Sequence, residues 1–136
     1  MDKKAVIYAK ARAKAYLEKN ILHKAMRIYK LILKKVPDDY DSNNNLGIIY
    51  AETFMPVDAF RHFFRAIAAQ KVKGEAWINM GVVFERFGKL NEAKIAYETA
   101  FLLKGTEEAA KDKIEKIGTV KKSLISFVQS ASDLVL

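Results

Sequence analysis

The chain has 136 residues, a net charge of +8 and no cysteine. Its length suits one domain with a substantial core, since 51% of the residues are hydrophobic. The lack of cysteine excludes a disulfide framework, a thiolate zinc site and a cysteine nucleophile. The apolar stretch Ala5 to Ala9 is too short for a signal-peptide core, and no stretch reaches the roughly 18 apolar residues that span a bilayer. We therefore predict a soluble cytoplasmic protein.

The positive charge is concentrated at the start of the chain. Residues 1–37 carry eleven Lys/Arg and two acidic residues, a net +9, so the remainder sums to −1. This region favours an acidic protein partner, with nucleic acid as an alternative. The basic residues concerned are Lys10, Lys14, Lys24, Arg27, Lys30, Lys34 and Lys35. They spread around two predicted helices rather than forming one stripe, which disfavours nucleic acid.

The sequence repeats itself every 34 residues. Six columns of matching residues recur at this period. They are Ala13, Gly47 and Gly81; Tyr16, Tyr50 and Phe84; Ala25, Ala59 and Ala93; Tyr29, Phe63 and Tyr97; Ile32, Ala66 and Ala100; and Leu33, Ile67 and Phe101. Within one unit the spacing is helical: Ala25, Tyr29, Ile32 and Leu33 fall at i, i+4, i+7 and i+8, on one helix face. Each unit is therefore predicted to be a pair of helices, and the fold to be all-α. Small residues let helices approach, aromatic residues fill the gap to the next pair, and three pairs share one core.

Turn and breaker residues divide the repeats. The predicted units are residues 6–39, 40–73 and 74–107. Asn20 and Gly88 tolerate a left-handed backbone after the leading helix of a pair, whereas Phe54 at the matching place in the second unit departs from the pattern. Pro56 suits the first turn of the following helix, and Pro37 separates the first two units.

Two further helices are predicted within the same single domain, residues 1–136. Residues 108–117 form a charged capping helix, which we expect Gly118 to end. Residues 119–136 form an amphipathic helix. Its apolar residues are Val120, Leu124, Phe127, Val128, Ala131, Leu134 and Val135. Three alternatives are open for this helix: it packs on the third pair, it enters the groove of its own or another copy, or it lies on a membrane surface. The membrane alternative is disfavoured, because only Lys121 and Lys122 would attract anionic lipid.

These columns resemble the tetratricopeptide repeat family over about residues 6–107. The third unit carries the motif best, in Trp77, Met80, Gly81, Phe84, Ala93, Tyr97 and Ala100. The second unit has Asn43 where Trp is usual, and the first unit has Ala9, Arg12 and Ala13 where Trp, Leu and Gly are usual. The resemblance implies a right-handed superhelical solenoid of three antiparallel helix pairs, followed by a capping helix and a C-terminal amphipathic helix. It also implies a non-catalytic adaptor that binds a partner protein.

In that family the leading helices line a concave groove that takes a peptide or a partner helix. The matching positions are Lys10, Lys14, Leu17, Asn44, Asn45, Ile48, Glu52, Ile78, Asn79, Val82 and Glu85. Three of them, Ile48, Ile78 and Val82, are aliphatic residues outside the core columns, and we expect them to be exposed and to form an apolar binding patch.

One subset of the family grips a chaperone's C-terminal carboxylate with five polar residues. Only Lys10 and Asn45 match that set, while Lys14, Glu75 and Asn79 replace Asn, Lys and Arg. An acid in place of a cation would repel a carboxylate, so a chaperone tail is rejected as the ligand.

No motif supports catalysis, a cofactor, a metal or a small-molecule substrate. His23 and His62 lack a second ligand at metal spacing on their own helices, and Asp38 and Asp39 suit a helix start. A hypothesis of another class is a self-assembling scaffold, in which residues 119–136 dock on a neighbouring copy.

Overall fold

The computed structural model describes the backbone of residues 1–135 and the side chains of residues 1–130. Within that range it has seven helices and no strand. They are α1 (Lys3–Glu18), α2 (Leu22–Lys35), α3 (Tyr40–Glu52), α4 (Pro56–Ala69), α5 (Glu75–Arg86), α6 (Leu90–Phe101) and α7 (Glu107–Val135). Leu136 lies outside the described part. The side chains of Ala131, Leu134 and Val135 also lie outside it, so their place on an apolar face stays a prediction.

Consecutive helices pack as the pairs α1–α2, α3–α4 and α5–α6, and each pair packs on the next. This arrangement confirms the predicted all-α solenoid of three helix pairs. The alanines of the third column and the aromatic residues of the fourth are buried, and only Phe101, in the sixth column, is exposed. Asp39 caps α3 by accepting the backbone N–H of Ser42 at 3.0 Å, and Pro56 begins α4, as both positions predict.

The small-residue column makes close approach within a pair possible. A Cβ atom added at Gly47 would overlap the ring of Phe63, and one added at Gly81 would overlap the ring of Tyr97. Both rings belong to the trailing helix of the same pair. In the second and third pairs, the aromatic column therefore fills space within the pair as well as between pairs.

The turns inside the three pairs share one backbone conformation. Asn20, Phe54 and Gly88 have φ values of 59°, 61° and 72°, at positions 34 residues apart. The left-handed turns predicted at Asn20 and Gly88 are confirmed. Phe54 adopts the same conformation despite its side chain, because the flanking helices fix the turn.

We expect Phe54→Gly to raise the free energy of unfolding by about 1 kcal/mol. A left-handed backbone penalises any residue with a Cβ atom by roughly 1–2 kcal/mol, part of which the flexibility of glycine in the unfolded chain offsets. Little packing is lost, because 89% of the Phe54 surface is exposed. Urea unfolding measures the change, and Gly88→Ala is the reciprocal variant, expected to lower stability by about 1 kcal/mol. A stability loss in Phe54→Gly would contradict the prediction.

The prediction that Gly118 ends a capping helix was wrong. The cap and the amphipathic segment form one helix, α7, of 29 residues. A glycine inside a helix costs only about 1 kcal/mol relative to alanine, which neighbouring turns readily offset. The first half of α7 packs on α6 through Ile114 and Ile117, whereas the described side chains from Lys122 to Ser130 are exposed.

Candidate partner-binding groove

The leading helices α1, α3 and α5 present two hollows on one face. On α3, Asn45, Ile48 and Glu52 follow at i, i+3 and i+7, so they share a helix face. The first hollow, of about 320 Å³, is lined by Lys10, Ala11, Lys14, Tyr29, Asp41 and Asn45. The central hollow, of about 120 Å³, is lined by Ile48, Ala51, Glu52, Phe63, Asn79, Val82, Val83 and Arg86. Seven predicted groove residues thus line one hollow or the other; Leu17, Asn44, Ile78 and Glu85 line neither.

Lys10 is half-buried and is paired with two carboxylates. Its Nζ atom lies 3.1 Å from Oδ1 of Asp39 and 2.7 Å from Oδ2 of Asp41. Burial alone would lower the pKa of Lys10, but the hydrogen bonds and charges of Asp41 and Asp39 raise it. Burial would likewise raise the pKa of Asp39, yet hydrogen bonds from Ser42 and the charge of Lys10 lower it. Lys10 therefore already has the acidic partners that a ligand would otherwise supply.

Lys14 is the more available cation of the first hollow. Its side chain is exposed, and it takes part in none of the ion pairs formed by the described side chains. Two other lysines of the basic region lie over aromatic rings, Lys24 at 5.4 Å from the Tyr16 ring and Lys30 at 5.8 Å from the Tyr50 ring.

Amides bridge the helices along the groove. Nδ2 of Asn45 donates to the Tyr29 hydroxyl at 2.9 Å, and Nδ2 of Asn79 donates to Oδ1 of Asn44 at 2.9 Å. Burial raises the pKa of Tyr29 to about 12. The predicted polar residues thus connect α2, α3 and α5 and give the groove floor a fixed shape.

An ion pair that the sequence reasoning missed borders the central hollow. Arg86 Nη2 lies 2.8 Å from Oε1 of Glu52. The two residues are 34 positions apart, so opposite charges in one repeat column were the signal that could have revealed the pair. Glu85 lies beside the groove but accepts a hydrogen bond from the hydroxyl of Tyr97. Burial and this bond raise the pKa of Tyr97.

The expectation that Ile48, Ile78 and Val82 are exposed was wrong. All three are half-buried, because they pack against core residues of the trailing helices. Ile78 and Val82 pack on the cluster that contains Ile117 of α7, which covers this end of the solenoid. Leu17 is also half-buried and packs on the core between α1 and α2. Only Ile48 and Val82 retain surface in a hollow.

A buried polar network stands at the start of α3. Asn43 occupies the place where the motif has Trp, and its Nδ2 donates to the carbonyls of Pro37 at 3.0 Å and Asp39 at 3.2 Å. Its Oδ1 lies 3.0 Å from Nδ1 of His62, which therefore carries the proton and donates. Burial and the charge of Arg65 lower the pKa of His62, so the ring stays neutral. His62 therefore has a structural role, because it completes the hydrogen bonding of the buried Asn43 side chain.

Among the described residues, no group of three His, Cys, Asp or Glu side chains could hold a metal ion. In the same part of the chain, no helix combines the length and the apolar character that crossing a membrane requires.

The fold is that of tetratricopeptide repeat (TPR) domains. The first TPR domain of human RPAP3 superposes with a TM-score of 0.77 and 20% identity, over 87% of this chain and 93% of that one. The Sgt2 TPR domain from Aspergillus fumigatus superposes with a TM-score of 0.78 and 18% identity, over 90% of this chain and 82% of that one. The Arabidopsis OM64 TPR domain superposes with a TM-score of 0.77 and 18% identity, over 85% of this chain and 96% of that one. At these identities the likeness shows the fold alone. No family model matches the chain, and no curated protein matches it in sequence.

Proposed function

We propose that this chain is a non-catalytic protein-interaction module that binds a peptide or a helix of a partner in the groove of its leading helices. The observation that carries the proposal is the placement of both hollows along one face of α3, one helical turn apart. Solved TPR domains support it by analogy, since the first RPAP3 domain is described bound to the HSP90 peptide SRMEEVD. The proposal keeps the sequence-based expectations of a cytoplasmic location and no cofactor.

The two hollows indicate the chemistry of the partner. Lys14 offers an exposed cation in the first hollow, whereas Lys10 is already neutralised by two aspartates. The central hollow offers Ile48, Ala51 and Val82 to an apolar side chain. The proposed ligand is a segment that carries an acidic residue and an aliphatic residue about one helical turn, roughly 5 Å, apart.

A chaperone tail remains a poor fit. Of the two clamp positions that match, Lys10 is engaged by Asp39 and Asp41, and Asn45 is committed to Tyr29. Glu75 accepts a hydrogen bond from Tyr40 and places a carboxylate at the position where the chaperone-binding subset has a cation. We therefore expect no measurable binding of the peptide SRMEEVD in a calorimetric titration, and tight binding would overturn this part of the proposal.

Charge reversal at Lys14 tests the groove. We expect Lys14→Glu to reduce capture of the native partner from lysate about tenfold or more, because a carboxylate would face the acidic ligand at short range. Lys34→Glu, on α2 outside both hollows, makes the same charge change and serves as the control. Equal recovery by Lys14→Glu and wild type would contradict the groove proposal, as would equal losses in both variants.

A second candidate is self-association through residues 119–136. The observation that favours it is the exposure of five apolar side chains on the projecting half of α7: Val120, Leu124, Ile125, Phe127 and Val128. Mass measurement of the full chain over a concentration series tests it, and a monomer at every concentration would remove it. Nucleic acid is less favoured, because Lys10 is paired and Lys24 and Lys30 lie over tyrosine rings.

A further inference from the structure

An apolar cleft adjoins the central hollow, with which it shares Ala51, Val83 and Arg86, at the edge where the turns inside the second and third pairs meet. One hollow of about 360 Å³ is lined by Pro56, Val57, Phe60, Phe84, Phe87 and Lys89. An adjoining hollow of about 190 Å³ shares Pro56 and Phe87 and is completed by Ala51, Phe54, Val83 and Arg86. We call the two together the edge cleft. Val57 is 70% exposed and Phe54 is 89% exposed, so the cleft is open to a partner.

The shape of the edge cleft suits a helix. Val57 and Phe60 form one row on α4, and Phe84 and Phe87 form another at the end of α5; within each row the two residues are three positions apart. The rings of Phe60 and Phe84 meet at the base, with centroids 4.8 Å apart. Two packed helices that each present such a row leave a groove into which the apolar face of a third helix fits.

A helix with an uncovered apolar face leaves the solenoid at this same edge. Lys121 Nζ donates to Oδ1 of Asn91 at 2.7 Å, and Asn91 is only two residues after Lys89, which lines the cleft. Beyond this contact α7 runs on to Val135, about 21 Å at 1.5 Å per residue. Val120, Leu124 and Phe127 follow at i, i+4 and i+7, the spacing of anchors in a helix-in-groove contact.

We propose that the projecting half of α7 from one copy docks in the edge cleft of a second copy, and that the second copy returns the same contact. The inference rests on the self-association candidate and adds its receiving surface. The contact is placed between copies because α7 is one unbroken helix through Val135 and its side chains from Lys122 to Ser130 are exposed rather than packed on their own chain. The exchange is two-fold symmetric and doubles the buried area toward the roughly 1,200–2,000 Å² of a stable interface.

Two charge-bearing variants of the full chain test the two sides of the contact. Val57→Glu modifies the cleft; an acidic residue in the first turn of α4 suits the helix dipole and should not disturb folding. Phe127→Lys modifies the projecting helix. Each has a matched control: Val72→Glu changes a valine that is also 70% exposed, in the α4–α5 loop, and Ser126→Lys adds the same charge one residue away on α7.

In sedimentation equilibrium, the average mass of the wild-type protein is expected to rise with concentration from 15.4 kDa toward twice that value. Val57→Glu and Phe127→Lys should each weaken dimerisation about tenfold or more, and the controls no more than about twofold. An equimolar mixture of Val57→Glu and Phe127→Lys should regain dimer, because each heterodimer has one wild-type contact and one Glu–Lys contact. Phe87→Glu replaces Val57→Glu if circular dichroism shows that the latter is unfolded.

Three results would overturn the inference in distinguishable ways. A wild-type monomer at all concentrations removes self-association itself and leaves the groove proposal standing. Dimer loss in Phe127→Lys but not in Val57→Glu or Phe87→Glu means that α7 associates elsewhere, for example with the other α7. If dimerisation weakens equally in the variants and in their controls, the added charge alone, rather than the edge cleft, determines whether the dimer forms.

Discussion

Gly81→Ala is expected to lower the free energy of unfolding by about 2 kcal/mol. The new Cβ atom would overlap the buried ring of Tyr97, which cannot move aside because its hydroxyl is bonded to Glu85. Overpacking of this kind costs up to about 3 kcal/mol, and alanine's better helix propensity returns about 1 kcal/mol. Gly47→Ala should behave in the same way against Phe63.

Gly118→Ala provides the matched control for this prediction. Gly118 also lies inside a helix, but an added Cβ atom there would meet nothing within 4 Å. We therefore expect this variant to gain about 1 kcal/mol from propensity alone. Urea unfolding of the three variants measures the differences, and a stabilised Gly81→Ala would show that the helix pair tolerates wider separation.

Asn43→Ala is expected to lower the free energy of unfolding by roughly 3 kcal/mol. The variant removes hydrogen bonds to the carbonyls of Pro37 and Asp39 and to the His62 ring, each worth about 1 kcal/mol, in a fully buried site. The carbonyls and the ring would be left without these partners, so the loss exceeds that of an exposed bond.

Asn91→Ala is a suitable control, because it removes one exposed hydrogen bond, to Lys121. We expect a loss of no more than about 0.5 kcal/mol for this change. If thermal unfolding placed Asn43→Ala and Asn91→Ala within error of each other, the network around Asn43 would have no stabilising role. The replacement of the motif's Trp by Asn43 would then mean a loss of apolar packing with no gain from hydrogen bonds.

The sequence by itself determined the helix pairs and the core. A 34-residue period fixes which residues share a face, and burial of Ala25, Phe63 and Tyr97 follows from packing one such face on the next. The positive-φ turns at Asn20 and Gly88 could also be read from residue type, since few residues accept that backbone. The candidate groove followed from the resemblance, and seven of its eleven residues line the two hollows.

Only the tertiary structure decided how those groove residues are used. Lys10 meets Asp39 and Asp41 across 29 and 31 positions of sequence, and such long-range pairing has no local pattern. The half-burial of Ile78 depends on where α7 lies, which the repeat does not specify. The continuity of α7 through Gly118 depends on neighbouring turns that outweigh a cost of about 1 kcal/mol. Periodicity fixes neighbours along a helix, whereas the partners of a side chain across helices depend on the packing of the whole chain.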